Sequence, residues 1–270
     1  MMVIQFNILT PVCILIAANL LLLVALCAME KNNKDSPKPQ KILGIFGGMG
    51  PEATVDFYQR VIKLTPAKQD QDHIPTLIYS LPQVPDRTHC IKNQDLSIVP
   101  YLVEAVTRLE EAGASFICIP CNTAHYFYDY MREAVSVPVL HMIRETVKKI
   151  KTEYSGIKEI GLLATSGTLQ SKVYEKEFAA NDFTVILPDD EIQTNNIMKA
   201  IYGIKAGKDK KTSEDLLTEA GNHVIKKGAG LIVLGCTEIP LAFNPKRVSV
   251  PVVNATEVLS QAAIRMYFER

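Results

Sequence analysis

The chain has 270 residues, and lysine plus arginine equals aspartate plus glutamate at 29 each. That length can bury a sizeable core as one large domain or two small ones, and the charge balance gives no ground for a nucleic-acid or acidic-surface partner. Six cysteines are too sparse for a disulfide scaffold, and their spacing is not that of a closed zinc site, so no metal is expected.

Residues 1–28 carry no charged side chain, and 14–28 are nearly continuously apolar, long enough to span a bilayer as a helix. Three readings stay open. A secretory signal lacks its basic start, and Leu26 and Cys27 interrupt the small-residue cleavage pattern. A membrane anchor has lysines only on its far side, at Lys31, Lys34, Lys38 and Lys41, which would keep the main domain cytoplasmic. Translation starting at Met29 would leave a soluble cytoplasmic protein, whereas a cleaved signal would make it periplasmic. Residues 29–41, with Pro37 and Pro39, read as a flexible tether.

From Lys41 an apolar run leads into the glycine turn Gly47-Gly48-Met49-Gly50, and Pro51 suits a first helical position. Val55, Tyr58, Val61 and Ile62 then recur at helical spacing. Strand, glycine loop and helix start can bind an anion through free backbone N–H groups, although a tight turn needs glycines too. A strand is predicted over 76–81, a loop holding Pro85-Asp86-Arg87, and a helix over 97–112 that Gly113 ends. An apolar run over 116–119 reaches Cys121, followed by a helix over 124–135 and a strand over 137–142. Alternating strands and helices argue for a parallel sheet with helices on both faces. Cys118 and Cys121 form a C-x-x-C, but Cys118 lies inside the apolar run and reads as a buried strand cysteine.

From Ile143 the pattern restarts. Residues 160–168 echo 43–50, Gly228 precedes Cys236 by the same interval as Gly113 precedes Cys121, and Val137-Pro138-Val139-Leu140 is matched by Val250-Pro251-Val252-Val253. This internal duplication predicts two similar α/β lobes, the first over 42–142 plus 252–270 and the second over 143–251, each presenting one strand-end cysteine to a cleft. Helices predicted directly after Cys121 and Cys236 would favour thiolate. Two facing thiols suit inversion of a carbon acid: one removes a proton from one face, the other returns one to the opposite face.

Four segments together resemble the cofactor-independent aspartate/glutamate racemases, most of all the aspartate racemase branch: Gly47-Gly48-Met49-Gly50-Pro51-Glu52-Ala53-Thr54, Pro85-Asp86-Arg87-Thr88, Cys121-Asn122-Thr123-Ala124-His125 and Gly235-Cys236-Thr237-Glu238. The likeness runs from about Lys41 to the carboxy terminus. It implies Cys121 and Cys236 as the two acid/bases, no pyridoxal phosphate, a small dicarboxylic amino acid as substrate, and a homodimer. It further implies that Asn122, Thr123, Thr237 and loop N–H groups near Met49 hold the α-carboxylate, and that Arg87 and Lys205 hold the side-chain carboxylate. Bottom-up, a buried dicarboxylate needs a cationic partner, and a guanidinium serves it in bidentate fashion; Lys205 also reads as a solvated helix-end lysine. His125 reads either as tuning Cys121 or as a helix-start residue binding backbone, Glu238 as orienting Cys236 or as a first-turn acid, and Asp86 as orienting Arg87 or as a turn residue. Rival readings are a hydantoin racemase, maleate isomerase or arylmalonate decarboxylase, and, in another class, a two-lobed solute-binding protein or a thiol oxidoreductase. Binding alone gives no reason for paired strand-end cysteines.

Overall fold

A computed structural model describes residues 41–269, so the apolar leader and all of the tether but Lys41 lie outside the described residues. β1 (Leu43–Gly47) is buried along its whole length, as a central strand covered on both faces must be. α1 (Pro51–Leu64) opens on its proline, whose missing N–H has no intrahelical partner to lose, and buries Ala53, Thr54, Phe57 and Val61. The buried face is rotated from the one the spacing suggests, leaving Val55 55% and Ile62 40% exposed. β2 (Thr76–Ser80), α2 (Arg87–Lys92), α3 (Val99–Glu111) and β3 (Phe116–Cys118) follow.

The two halves repeat one topology. β1 lies between β2 and β3, and β4 (Glu159–Ala164) lies between β5 (Thr184–Ile186) and β6 (Leu231–Gly235), every pair parallel. The fourth position is filled in both halves. Val139 joins β3 by a single parallel bridge to Ile117, and β7 (Val252–Asn254) pairs with β6. Even the entry bonds match, Ile117 N to Pro138 O at 2.8 Å and Ile232 N to Pro251 O at 2.9 Å. The strand expected over 137–142 shortens to that bridge, and the His141 side chain caps α5 (Met142–Glu153).

Alternate strand residues feed different cores. Phe46 and Ile117 pack with Leu102 on one face of the first sheet, while Leu43, Ile45 and Phe116 pack with Phe57 and Leu259 on the other. The second sheet divides likewise, Ile232 and Leu234 toward Leu217 and Val224, Leu231 and Val233 toward Tyr174 and Phe178. This is a three-layer arrangement built twice. β7 pairs inside the second sheet, so residues 252–254 lie there rather than in the first lobe. Only α11 (Ala255–Phe268) returns, seating Ala255, Leu259, Ala262 and Ala263 against Leu43 and Phe57.

Between β4 and β6 the second half runs through α6 (Ser166–Ser171), α7 (Val173–Ala179), α8 (Asp190–Ile192), a π-helical turn Gln193–Met198, α9 (Lys199–Lys205) and α10 (Lys210–Lys226). The α8, π and α9 segments are continuous, and they bring Met198, Ile201, Tyr202 and Lys205 to the mouth of the second sheet's carboxyl end.

Candidate active site

Cys121 follows β3 and Cys236 follows β6, each at the carboxyl end of its strand and each 5% exposed. Both line one cleft of about 360 Å³, together with Met49, Asp86, Arg87, Asn122, Thr123, Thr165, Lys205, Thr237 and Glu238. Of the residues singled out in the sequence, His125 alone is absent from the lining.

The chain after each cysteine departs from expectation. Thr123–Phe127 and Ile239–Leu241 are 3-10 turns, the second containing Pro240, and only the first continues into a short α4 (Tyr128–Glu133). Such short turns sum few peptide dipoles, so the helix-end stabilisation of a thiolate is smaller than full helices would give. At Cys236 the surroundings favour the thiol. Burial pushes its pKa well above the ordinary value, and Glu238 adds to this by charge and by accepting the Sγ–H at 3.0 Å, while Lys205 opposes.

Glu238 is 3% exposed and heavily used. Its Oε1 accepts from Gly50 N at 3.0 Å and pairs with Lys205 Nζ at 3.3 Å, and its Oε2 also accepts from Thr237 Oγ1 at 3.4 Å. The glycine loop therefore meets a carboxylate, and it is the protein's own. Gly48 N is likewise taken, donating to Thr54 Oγ1 at 2.9 Å. Gly48 has φ +93, and a Cβ there would lie 2.5 Å from the Leu81 backbone, so this loop requires glycine. Lys205, in the last turn of α9, keeps some exposure but turns to Glu238: burial works against its charge, yet its pKa is raised, chiefly by the charge of Glu238.

Arg87 is 8% exposed at the start of α2. Its Nη1 donates to Val84 O at 3.1 Å and Pro85 O at 3.0 Å, Nη2 reaches Met49 O at 3.5 Å, and Nε has no partner among the described residues. No carboxylate among the described residues pairs with it. Asp86 is instead the N-cap of α2, accepting from His89 N at 2.8 Å. Asn122 Oδ1 accepts from the Tyr174 hydroxyl at 2.6 Å, and its buried Nδ2 has no partner among the described residues. Two residues that line the cleft thus each carry a buried donor without a partner among the described residues, a costly arrangement.

Thr123 Oγ1 lies 2.9 Å from both Thr165 Oγ1 and Thr168 Oγ1, which are 3.0 Å apart. This ring of hydroxyls joins the first lobe to the start of α6. Thr165 and Thr168 fall in the repeat of the glycine-loop segment, and that position was the available signal for them. Met198, Ile201 and Tyr202 carried none, because their approach depends on the π-helical turn. His125 bonds backbone: its Nδ1 meets Cys121 O at 2.8 Å and its Nε2 accepts from Met142 N at 3.1 Å. Accepting at Nε2 makes Nδ1 the donor, and burial lowers the ring's pKa to about 4. Cys118 packs with Leu43 and Leu140 on the other sheet face from Cys121, and burial raises its pKa, so the C-x-x-C is not a dithiol pair.

The sequence pattern of the Asp/Glu/hydantoin racemase family matches residues 46–263. The chain belongs to that family. Among its relatives, the broad specificity amino-acid racemase RacX of Bacillus subtilis is 30% identical over 230 residues, spanning 84% of this chain and 98% of that one. The structure of Picrophilus torridus aspartate racemase superposes with a TM-score of 0.76 at 31% identity, covering 85% of this chain and 95% of the other. An aspartate racemase homologue from Pyrococcus horikoshii OT3 gives 0.69 at 26% identity, over 85% and 100%. These structures carry the same two-lobed α/β arrangement, and the family carries the reaction class, amino-acid racemisation.

Proposed function

We propose that the protein interconverts L- and D-aspartate, without pyridoxal phosphate, by proton transfer between the substrate α-carbon and two cysteines. The observation that carries this reading is one cleft lined by Cys121 and Cys236 from equivalent strand ends, beside a buried Arg87 whose Nε has no partner among the described residues. A thiolate takes the α-hydrogen from one face, and the opposite thiol gives its own proton to the other face. Cys236, a thiol donating to Glu238, starts as the acid, and Cys121 starts as the base. Roles exchange in the reverse direction.

The remaining residues divide the substrate between them. Asn122 Nδ2 offers the α-carboxylate a donor that nothing else among the described residues uses, and Thr123, Thr237 and the N–H of Met49 surround the same end. Donors fixed in advance around the carboxylate meet the charge that develops on it as the carbanion forms. Arg87 takes the side-chain carboxylate, with Lys205 beside it and already partly offset by Glu238. Glu238 is a positioning residue that holds the Cys236 thiol, and His125 fixes the Cys121 main chain through its carbonyl. A cleft of this size favours a short side chain, and one structural relative is named an aspartate racemase. Hydantoin has no second carboxylate for Arg87, and a decarboxylase has no need of both cysteines.

The test is α-hydrogen exchange of aspartate in deuterated water by the full chain, from either enantiomer, without added cofactor. Exchange from both, abolished by Cys121→Ser and by Cys236→Ser, is the expected result. Binding without exchange would sink the racemase reading, and full turnover by both single variants would sink the two-base mechanism.

A further inference from the structure

The cleft has a larger neighbour. A second cavity of about 760 Å³ lies against it, about twice the cleft's 360 Å³. The two share one wall made of Asp86, Arg87, Lys205 and Glu238. Beyond it the lining is mainly apolar, with Pro51, Ala53, Pro82, Val84, Ile204 and Leu241, and its one further charged member, Glu52, is paired with Lys210. Two acids face two bases in the shared wall.

The wall's members differ in freedom. Arg87 is buried and anchored to three carbonyl oxygens. Glu238 is held by Gly50 N and by the Cys236 thiol. Among the described residues Lys205 has a single ion pair, at 3.3 Å, and its side chain is 27% exposed. Lys205 is therefore the member that can swing toward solvent. In the racemase reading the side-chain carboxylate of aspartate stops at this wall, so the end of any longer side chain has to lie beyond it.

Resting on that reading, we infer that the second cavity is a side-chain subsite, which takes the apolar end of amino acids longer than aspartate, of the methionine or leucine type, when Lys205 moves aside. Its apolar members offer an aliphatic chain contact, and the reacting α-carbon stays between the cysteines. Selection in such a pocket comes from contact area, on the order of tenfold or more per methylene.

The experiment follows α-hydrogen exchange of L-aspartate and L-methionine in deuterated water by the full chain and by its Leu241→Trp and Ala53→Leu variants. Leu241 and Ala53 line the second cavity and not the cleft. The wild type is expected to exchange both amino acids. Each variant should lose methionine kcat/KM by about tenfold or more while keeping aspartate exchange, which also reports that it is folded. Lys205→Ala should raise the ratio of methionine to aspartate exchange. Aspartate exchange with no methionine exchange in the wild type overturns the subsite and leaves the racemase reading standing. Equal loss of both substrates, in variants whose thermal midpoints match the wild type, makes the cavity a passage and also overturns it. Absence of aspartate exchange in the wild type strikes the racemase reading itself.

Discussion

Replacing Glu238 by glutamine removes the charge of one buried carboxylate and keeps its shape. That carboxylate accepts from Cys236 Sγ at 3.0 Å and Gly50 N at 3.0 Å, and pairs with Lys205 at 3.3 Å. Glutamine can still accept from Gly50, but its amide N–H groups then face the thiol. A hydrogen bond to a charged group contributes about 1.5–3 kcal/mol. Expressed fully in the transition state, that loss lowers kcat by roughly 10- to 150-fold. A second signature separates positioning from mere packing. The Cys236 thiol is held up first by burial and then by Glu238, so removing the charge lowers its pKa. Where turnover needs Cys236 as the acid, the alkaline limb of the kcat profile moves to lower pH. Initial rates from each enantiomer by chiral chromatography, over about pH 6 to 10, give both readouts. Wild-type kcat with an unmoved alkaline limb would refute the reasoning.

Arg87→Lys should lower kcat/KM for aspartate by about 2–3 kcal/mol, roughly 30- to 150-fold, because a point charge replaces a fork anchored on three carbonyl oxygens; unchanged kcat/KM would contradict the role given to the guanidinium. His125 is neutral when folded, with a pKa lowered from 6.5 to about 4. Its contribution to stability is therefore complete above 6.5 and is lost as the pH falls toward 4. Denaturant melts should show a loss of about 2 kcal/mol between pH 7 and pH 5, reduced in His125→Gln; a flat profile in the wild type rules out the buried neutral imidazole. Gly48→Ala places a methyl against the Leu81 backbone at a positive φ and should cost about 2 kcal/mol or more of stability. Thermal unfolding of that variant within a degree of the wild type would show the loop is more compliant than its geometry implies.

Much of the site was legible because it is local. A strand, its glycine turn and the proline that starts α1 are set by neighbours within a few residues, and so are the strand-end cysteines. The duplication was legible for a related reason: the same spacing of glycine, cysteine and Val-Pro-Val recurs, so one half predicts the other. Where the sequence reading slipped, the competing interaction was also local but finer. His141 caps α5 where the expected strand would still run. Of the two roles the sequence left open to Asp86, the local one holds, since it caps α2.

By itself the sequence determined two parallel α/β halves, each with a cysteine where its third strand ends, because strand periodicity and turn chemistry are properties of short windows. Only the tertiary structure decided what those windows meet. The bond between Gly50 and Glu238 joins residues 188 apart, and the hydroxyl ring of Thr123 with Thr165 and Thr168 spans 45. The lone Nε of Arg87 and the chamber behind Lys205 likewise exist only once the two halves are packed. A residue's partner across the cleft is set by the path of the whole chain, and no local pattern encodes that path.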